Sequence, residues 1–192
     1  MKDFALELFS FYKNELQGIN LIGFKSFEDF YNTQIEDIID LIKTHKNFIK
    51  KDIIVDMGCG GGFPLIPLMK IFPEKKFIGV DSKKKKIKAL YEILNNFQLS
   101  AQLFDNRFEE IEFNQSATLF FKAIDKIDNI IPLLNISQPC DLVFLKAKEE
   151  PHSIKSLEYK YSSCGIDKRI YVVNNFTSSI VKKNLVSFKD FL

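Results

Sequence analysis

One passage restricts this chain of 192 residues more than any other: Ile53-Ile54-Val55-Asp56-Met57-Gly58-Cys59-Gly60-Gly61-Gly62-Phe63-Pro64. A short, unbroken apolar run reads as a central strand of a parallel sheet, because such strands are covered on both faces. Glycines directly after it let the backbone turn tightly and approach a ligand with no Cβ in the way. Pro64 suits the first turn of a following helix, where a missing N–H costs nothing. Comparable runs recur at Phe77 to Val80, Ala101 to Phe104, Ala117 to Phe121 and Leu142 to Leu145. Helical patterns separate them, notably Lys83 to Phe97 and Ile124 to Leu134. Strand and helix in alternation predict an α/β fold with right-handed crossovers. Ser156 to Tyr161 and Arg169 to Val173 read as a terminal hairpin at one sheet edge, giving a mostly parallel seven-stranded sheet with helices on both faces.

Residues 1–50 have a different texture. Phe4, Leu8, Phe11, Tyr12 and Leu16 fall near helical spacing, with Gly18 as a plausible stop. Ser26 reads as an N-cap with Asp29 three residues on. Phe27, Phe30, Tyr31, Ile35, Ile38 and Ile42 then mark one buried helix face. The expectation is an N-terminal helical flank over 1–50, packed on a core over 51–192, in one domain. Hydrophobic residues at 46% and charged residues at 27% suit a globular core and exclude disorder. Cys59, Cys140 and Cys164 are odd in number and far apart, so neither a disulfide framework nor a zinc site is expected, and no metal. The amphipathic start at Met1-Lys2-Asp3 does not read as the apolar core of a signal peptide, so none is expected, and no apolar run approaches the ~20 residues of a membrane span. A cytoplasmic monomer is the expectation.

Two kinds of ligand use a glycine loop after a first strand. The dinucleotide fingerprint Gly-x-Gly-x-x-Gly would need its third glycine where Phe63 stands. The register Asp56-x-Gly58-x-Gly60-x-Gly62 is complete instead, and resembles the loop of Rossmann-like methyltransferases that bind S-adenosyl-L-methionine. Asp81, about 20 residues beyond the loop at the end of the second apolar run, can accept both ribose hydroxyls of a nucleoside. Its ordinary role would be to cap the next helix, which Ser82 could do equally well.

The sequence Gly62-Phe63-Pro64-x-Ile66-Pro67-Leu68, then Pro73, then Asp81-Ser82-x-x-Lys85-Lys86-x-x-x-Leu90 resembles the GidB family, also called RsmG. These proteins methylate a guanine at N7 in small-subunit (16S) ribosomal RNA. Asn20-Leu21, Arg107-Phe108-Glu109-Glu110, Lys122-Ala123, Leu145-Lys146 and Arg169 agree in order. Thr33-Gln34 stand where the family usually has Arg-His, Lys122 where it has Arg, and Leu65 where it has Gly; its Trp-Asn before Asn20 is absent. To Gly60, Gly62 and Asp81, expected at the cofactor from the loop register and the acid, the resemblance adds cofactor contacts at Gly58, Phe63, Phe108 and Glu109, with Lys122 near the methionine end or the target base. By default Phe63 and Phe108 would be core aromatics and Glu109 a first-turn helix carboxylate. Lys146 ends a buried strand, where open sheets face their ligand crevice. With Asn20, Lys85 and Lys86 it is expected on the substrate side, toward ribosomal RNA in the small subunit. The net charge of +2 does not announce a nucleic-acid binder, and the lysine run 83–86 ordinarily reads as a solvated helix face. No nucleophile is expected, since guanine N7 carries its own lone pair. Pro139-Cys140 precedes the fifth apolar run, so Cys140 reads as a small apolar residue entering a strand. Two other readings stay open: methylation of a small molecule or protein, and a diverged module that binds cofactor or RNA without activity.

Overall fold

The computed structural model of the protein describes residues 1–16, 21, 23–182 and 185–188. Its strands are β1 (Ile53–Met57), β2 (Lys76–Val80), β3 (Gln102–Phe104), β4 (Ile111–Phe113), β5 (Thr118–Lys122), β6 (Asn135–Ile136), β7 (Cys140–Lys146), β8 (Leu157–Ser163), β9 (Ile166–Phe176) and β10 (Val186–Ser187). Seven of them form one sheet in the order β3-β2-β1-β5-β7-β9-β8. The first four pairings are parallel, and the hairpin β8–β9 joins β7 antiparallel, as the apolar runs predict. Chain order reverses at β1, which pairs with β2 on one side and β5 on the other. Open α/β sheets bind ligands outside the carboxyl ends of the strands at such a point.

Strand alternation divides the core in two. Ile54, Phe120, Val143, Ile170 and Val172 face one side. There they meet α1 (Lys2–Asn14), α2 (Phe27–Phe30), α3 (Asp37–His45), α4 (Leu65–Ile71) and α5 (Lys84–Asn96). Val55, Met57, Phe121, Leu142 and Phe144 face the other side, toward α6 (Ile127–Ile130). A small parallel sheet in the order β10-β4-β6 completes that second layer. Its strands have two or three residues each, too short to leave a period in the sequence. The helix expected over Ile124 to Leu134 shrinks to α6 and a 3-10 turn at Ile131–Leu133. Pro132 is the reason, since it has no N–H to donate back along a helix.

Ser26 caps α2 as expected, its Oγ accepting from the Asp29 N–H at 3.1 Å. A π-helical turn at Tyr31–Glu36 joins α2 to α3, which the sequence pattern did not announce. Gly18 lies outside the described residues. Among the described residues, no helix is long and apolar enough to cross a membrane.

Candidate functional site

The glycine loop is held from both ends by carboxylates. Asp56, the fourth residue of β1, is fully buried, and its Oδ2 accepts from the Leu65 N–H at the start of α4 (3.2 Å). Its Oδ1 has no hydrogen-bond partner among the described residues. Burial pushes the Asp56 carboxyl from the ordinary 3.8 to about 7, against the Leu65 bond and the Lys122 charge, which lower it. Asp81, just past β2, accepts from the Gly60 N–H on Oδ2 (3.0 Å) and from the Lys83 N–H on Oδ1 (2.9 Å). It therefore braces the loop and opens α5 at once. A carboxylate offers about four lone-pair sites, so two remain for a ligand's hydroxyls.

The glycines serve different ends. A Cβ on Gly62 would lie 2.7 Å from Ile66 and 2.9 Å from Leu90, so this glycine lets α4 and α5 close on the loop. A Cβ on Gly60 would meet Lys86, Gly58 and Asp81 at 3.6–3.8 Å, all groups of the cleft. Gly60 also has φ +49°, which L side chains rarely adopt.

In front of the loop, at the carboxyl ends of β1, β2 and β5, is a cavity of about 280 Å³. Gly58, Asp81, Lys86, Phe108, Glu109 and Ile124 are among its walls. The 3-10 turn at Phe108–Glu110 supplies an aromatic face and a carboxylate, and is held by Glu110 accepting from the Arg107 N–H (3.1 Å). Buried Asn135 braces the same turn, its Nδ2 donating to the Glu109 carbonyl at 3.0 Å. A larger depression, about 460 Å³, lies between Met69, Pro73, Phe77 and Gln102 at the amino ends of β2 and β3. That is the wrong end of the sheet for a ligand crevice.

The smaller cavity, with a ribose-competent carboxylate, an aromatic wall and backbone free of side chains, fits a nucleoside. A sequence model of the GidB family, described as rRNA small subunit methyltransferase G, matches residues 5–181. The chain belongs to the GidB family. Ribosomal RNA small subunit methyltransferase G of Bacteroides thetaiotaomicron is 30% identical over 167 residues, covering 83% of this chain and 80% of that protein. The protein of that name in Mycoplasmopsis pulmonis is 27% identical over 192 residues, covering 89% and 82%. Among solved structures, an Aquifex aeolicus SAM-dependent methyltransferase superposes with a TM-score of 0.50 at 16% identity, over 69% of this chain and 88% of its own. At that identity the likeness is one of fold.

The fold of this GidB chain gathers Gly58, Asp81, Lys86, Phe108 and Glu109 around one cavity. Other expected residues stand elsewhere. Phe63 packs on Phe30 (5.4 Å between ring centres) and Tyr12 (5.8 Å), against the helical flank. Lys122 points to the same flank. Its Nζ donates to the Thr33 carbonyl (3.1 Å) and to Gln34 Oε1 (3.2 Å), and pairs with Asp37 Oδ2 (3.5 Å). Lys146 points to the opposite face of the sheet, donating to the Asp125 carbonyl (2.8 Å) and pairing with Glu150 (2.9 Å). Lys85 is exposed on the first turn of α5. Asn20 lies outside the described residues. Cys140 is buried at the amino end of β7, away from the cavity, and burial pushes its thiol up to about 11.

Three residues outside the expected set now carry weight: Asp56, Asn135 and Asp37. Asp56 was visible as the first position of the loop register. Asn135 and Asp37 had no local signal, because the partners that tie them to other elements, Glu109 for Asn135 and Tyr161 for Asp37, lie 26 and 124 residues away in the chain.

Proposed function

We propose that the chain transfers a methyl group from S-adenosyl-L-methionine to N7 of a guanine in small-subunit ribosomal RNA. The observation that carries this is the cavity at the β1 switch point, where the glycine loop, Asp81 and the Phe108–Glu109 turn converge. Asp81 would take the ribose hydroxyls, Phe108 would lie against the adenine, and Gly58 and Gly60 would admit the backbone-close part of the nucleoside. Asp56, buried at the root of the loop with one oxygen unpaired among the described residues, suits the cationic methionine end. When bound, the cofactor supplies an activated methyl on a sulfonium, so the protein's share is orientation and electrostatics. The target nitrogen has no proton to remove, and the chain's residues need only hold the base in line.

The first turn of α5 supports an RNA substrate. Lys84, Lys85 and Lys86 sit at the positive end of a helix dipole, where each is unfavourable by roughly 0.3–1 kcal/mol. Together with Lys83 they form a cationic rim beside the cavity that suits phosphate. The small subunit of the ribosome is the partner this reading requires, in the cytoplasm and with the chain acting as a monomer.

Transfer of labelled methyl to undermethylated small subunits, followed by mapping of the product base, tests the reading. Label in the RNA at guanine N7 is expected; label appearing in protein or small molecules alone would overturn it. Asp81→Ala should weaken cofactor binding in calorimetry by about 1.5–3 kcal/mol, the range for hydrogen bonds to a charged group. Gly60→Val should abolish binding by filling the cleft side of the loop.

A further inference from the structure

The face of β5 that carries Phe120 and Lys122 turns toward the N-terminal helices, and at its end the contact is made by charges. Asp37, in the first turn of α3 and 3% exposed, is the hub. It pairs with Lys122 from β5 (3.5 Å) and Lys168 from β9 (2.7 Å), and accepts from the Tyr161 hydroxyl of β8 (2.8 Å). One carboxylate thus ties a helix to three strands. Lys122 adds its bonds to Thr33 and Gln34, both in the π-helical turn. An ammonium has three N–H donors, and these partners occupy all three. Lys122 is held as an anchor, not as a free arm.

Buried ion pairs are poor devices for stability, because desolvation offsets much of the attraction. Fixed geometry is what this one provides. The residues after Lys122 are Ala123, exposed with φ +54°, and Ile124, and both line the cavity. The Ile124 Cδ1 lies 3.0 Å from where a Gly58 Cβ would stand. The same helical flank also grips the glycine loop: the Tyr12 hydroxyl donates to the Gly61 carbonyl, and Phe30 packs on Phe63. The glycine loop and the Ala123–Ile124 wall of the cleft are therefore held by one set of helices.

We propose that Asp37 and Lys122 are positioning residues for methyl transfer: by anchoring the end of β5 to the π-helical turn, they set the Ala123–Ile124 wall against Gly58. The inference rests on the cleft being the methyl-transfer site. A misplacement of about 1 Å at such a site can cost roughly a hundredfold in rate.

Asp37→Asn keeps the shape and an acceptor for Tyr161 but removes the charge, and Lys122→Met keeps the stem. In single-turnover methylation of unmodified small subunits, each should slow transfer 10–100-fold, with the cofactor Kd within about threefold of the parent. Acting as one unit, the pair should show no further loss in the double variant. Lys122→Arg, which retains charge and donors, should stay within about threefold of the parent. Ser163→Ala cuts the Ser163–Asp40 bond between β8 and α3 (2.9 Å) without touching Lys122, and should keep the parent rate. A parent rate in Asp37→Asn or Lys122→Met, multiplying losses in the double variant, or equal slowing by Ser163→Ala would each overturn the proposal. Thermal melts identify any variant that fails to fold, in which case the other single variant decides. Hydrogen exchange of residues 121–127 gives a readout independent of activity, and should quicken at least tenfold in both single variants. If the parent does not methylate small subunits, the function reading fails by itself. Unchanged exchange in both variants would then still sink the positioning role.

Discussion

Asp56 concentrates the electrostatics of the site in one residue. Its carboxyl is fully buried, bonded through one oxygen to the Leu65 N–H, and pushed to about 7 chiefly by desolvation. The folded state therefore holds a proton that the unfolded chain releases near 3.8. A carboxyl shifted upward contributes stability that is fully present below its unfolded pKa and lost as pH rises through about 7. Three units of difference correspond to roughly 4 kcal/mol. Without cofactor, the melting temperature should accordingly fall between pH 4 and 8 more steeply in the parent than in Asp56→Asn; parallel pH profiles would show that Asp56 does not titrate in this window. Cofactor affinity should follow the opposite sign. A cationic ligand end favours the ionised carboxylate, so binding should strengthen from pH 6 to pH 8 in the parent and lose that dependence in Asp56→Asn, as read by calorimetry at each pH.

At the scale of elements, the turn at Phe108–Glu110 is a short 3-10 segment with few bonds of its own, and its placement depends on a residue from another layer. Asn135 is 1% exposed; its Nδ2 donates to the Glu109 and Leu133 carbonyls, and its Oδ1 accepts from the Lys182 N–H. The small sheet β10-β4-β6 thereby reaches the wall of the cavity through one amide side chain. Asn135→Ala removes the three hydrogen bonds of one buried amide, at about 0.5–1.5 kcal/mol each. A lower melting temperature and a several-fold weaker cofactor Kd are expected together. Reduced stability with parental affinity would make Asn135 a brace for the small sheet alone.

For the whole molecule, a net charge of +2 leaves little long-range attraction for RNA, so recognition has to come from where the charges lie. The fold separates two neighbours that the sequence left together. Lys85 is exposed on α5, whereas Lys86 lines the cavity. Lys85→Glu should weaken binding to the small-subunit RNA and reduce the salt slope by about one unit, with cofactor affinity unchanged. Lys86→Glu should weaken cofactor binding as well. Salt titrations of RNA binding beside calorimetry check both, and a salt slope untouched in Lys85→Glu would return that lysine to the solvent.

The sheet, its order of apolar strands, the glycine loop and Asp81 were legible because each is a local signal: an unbroken apolar run, a turn only glycine makes easily, an acid at a strand end. Those signals need no knowledge of what lies across the fold. The direction of Lys122 and Lys146 was half legible. Both end a strand, but period-two alternation sets Lys122 with Phe120 on the face of the N-terminal helices, and Lys146 with Phe144 on the other. Tertiary structure alone decided what those faces met. Asp37 joins Lys122 and Lys168 across 85 and 131 positions of chain, and Asn135 reaches Glu109 across 26. Polar partners buried at such separations leave no periodicity, since each is fixed by the packing of whole layers and not by its neighbours in the chain.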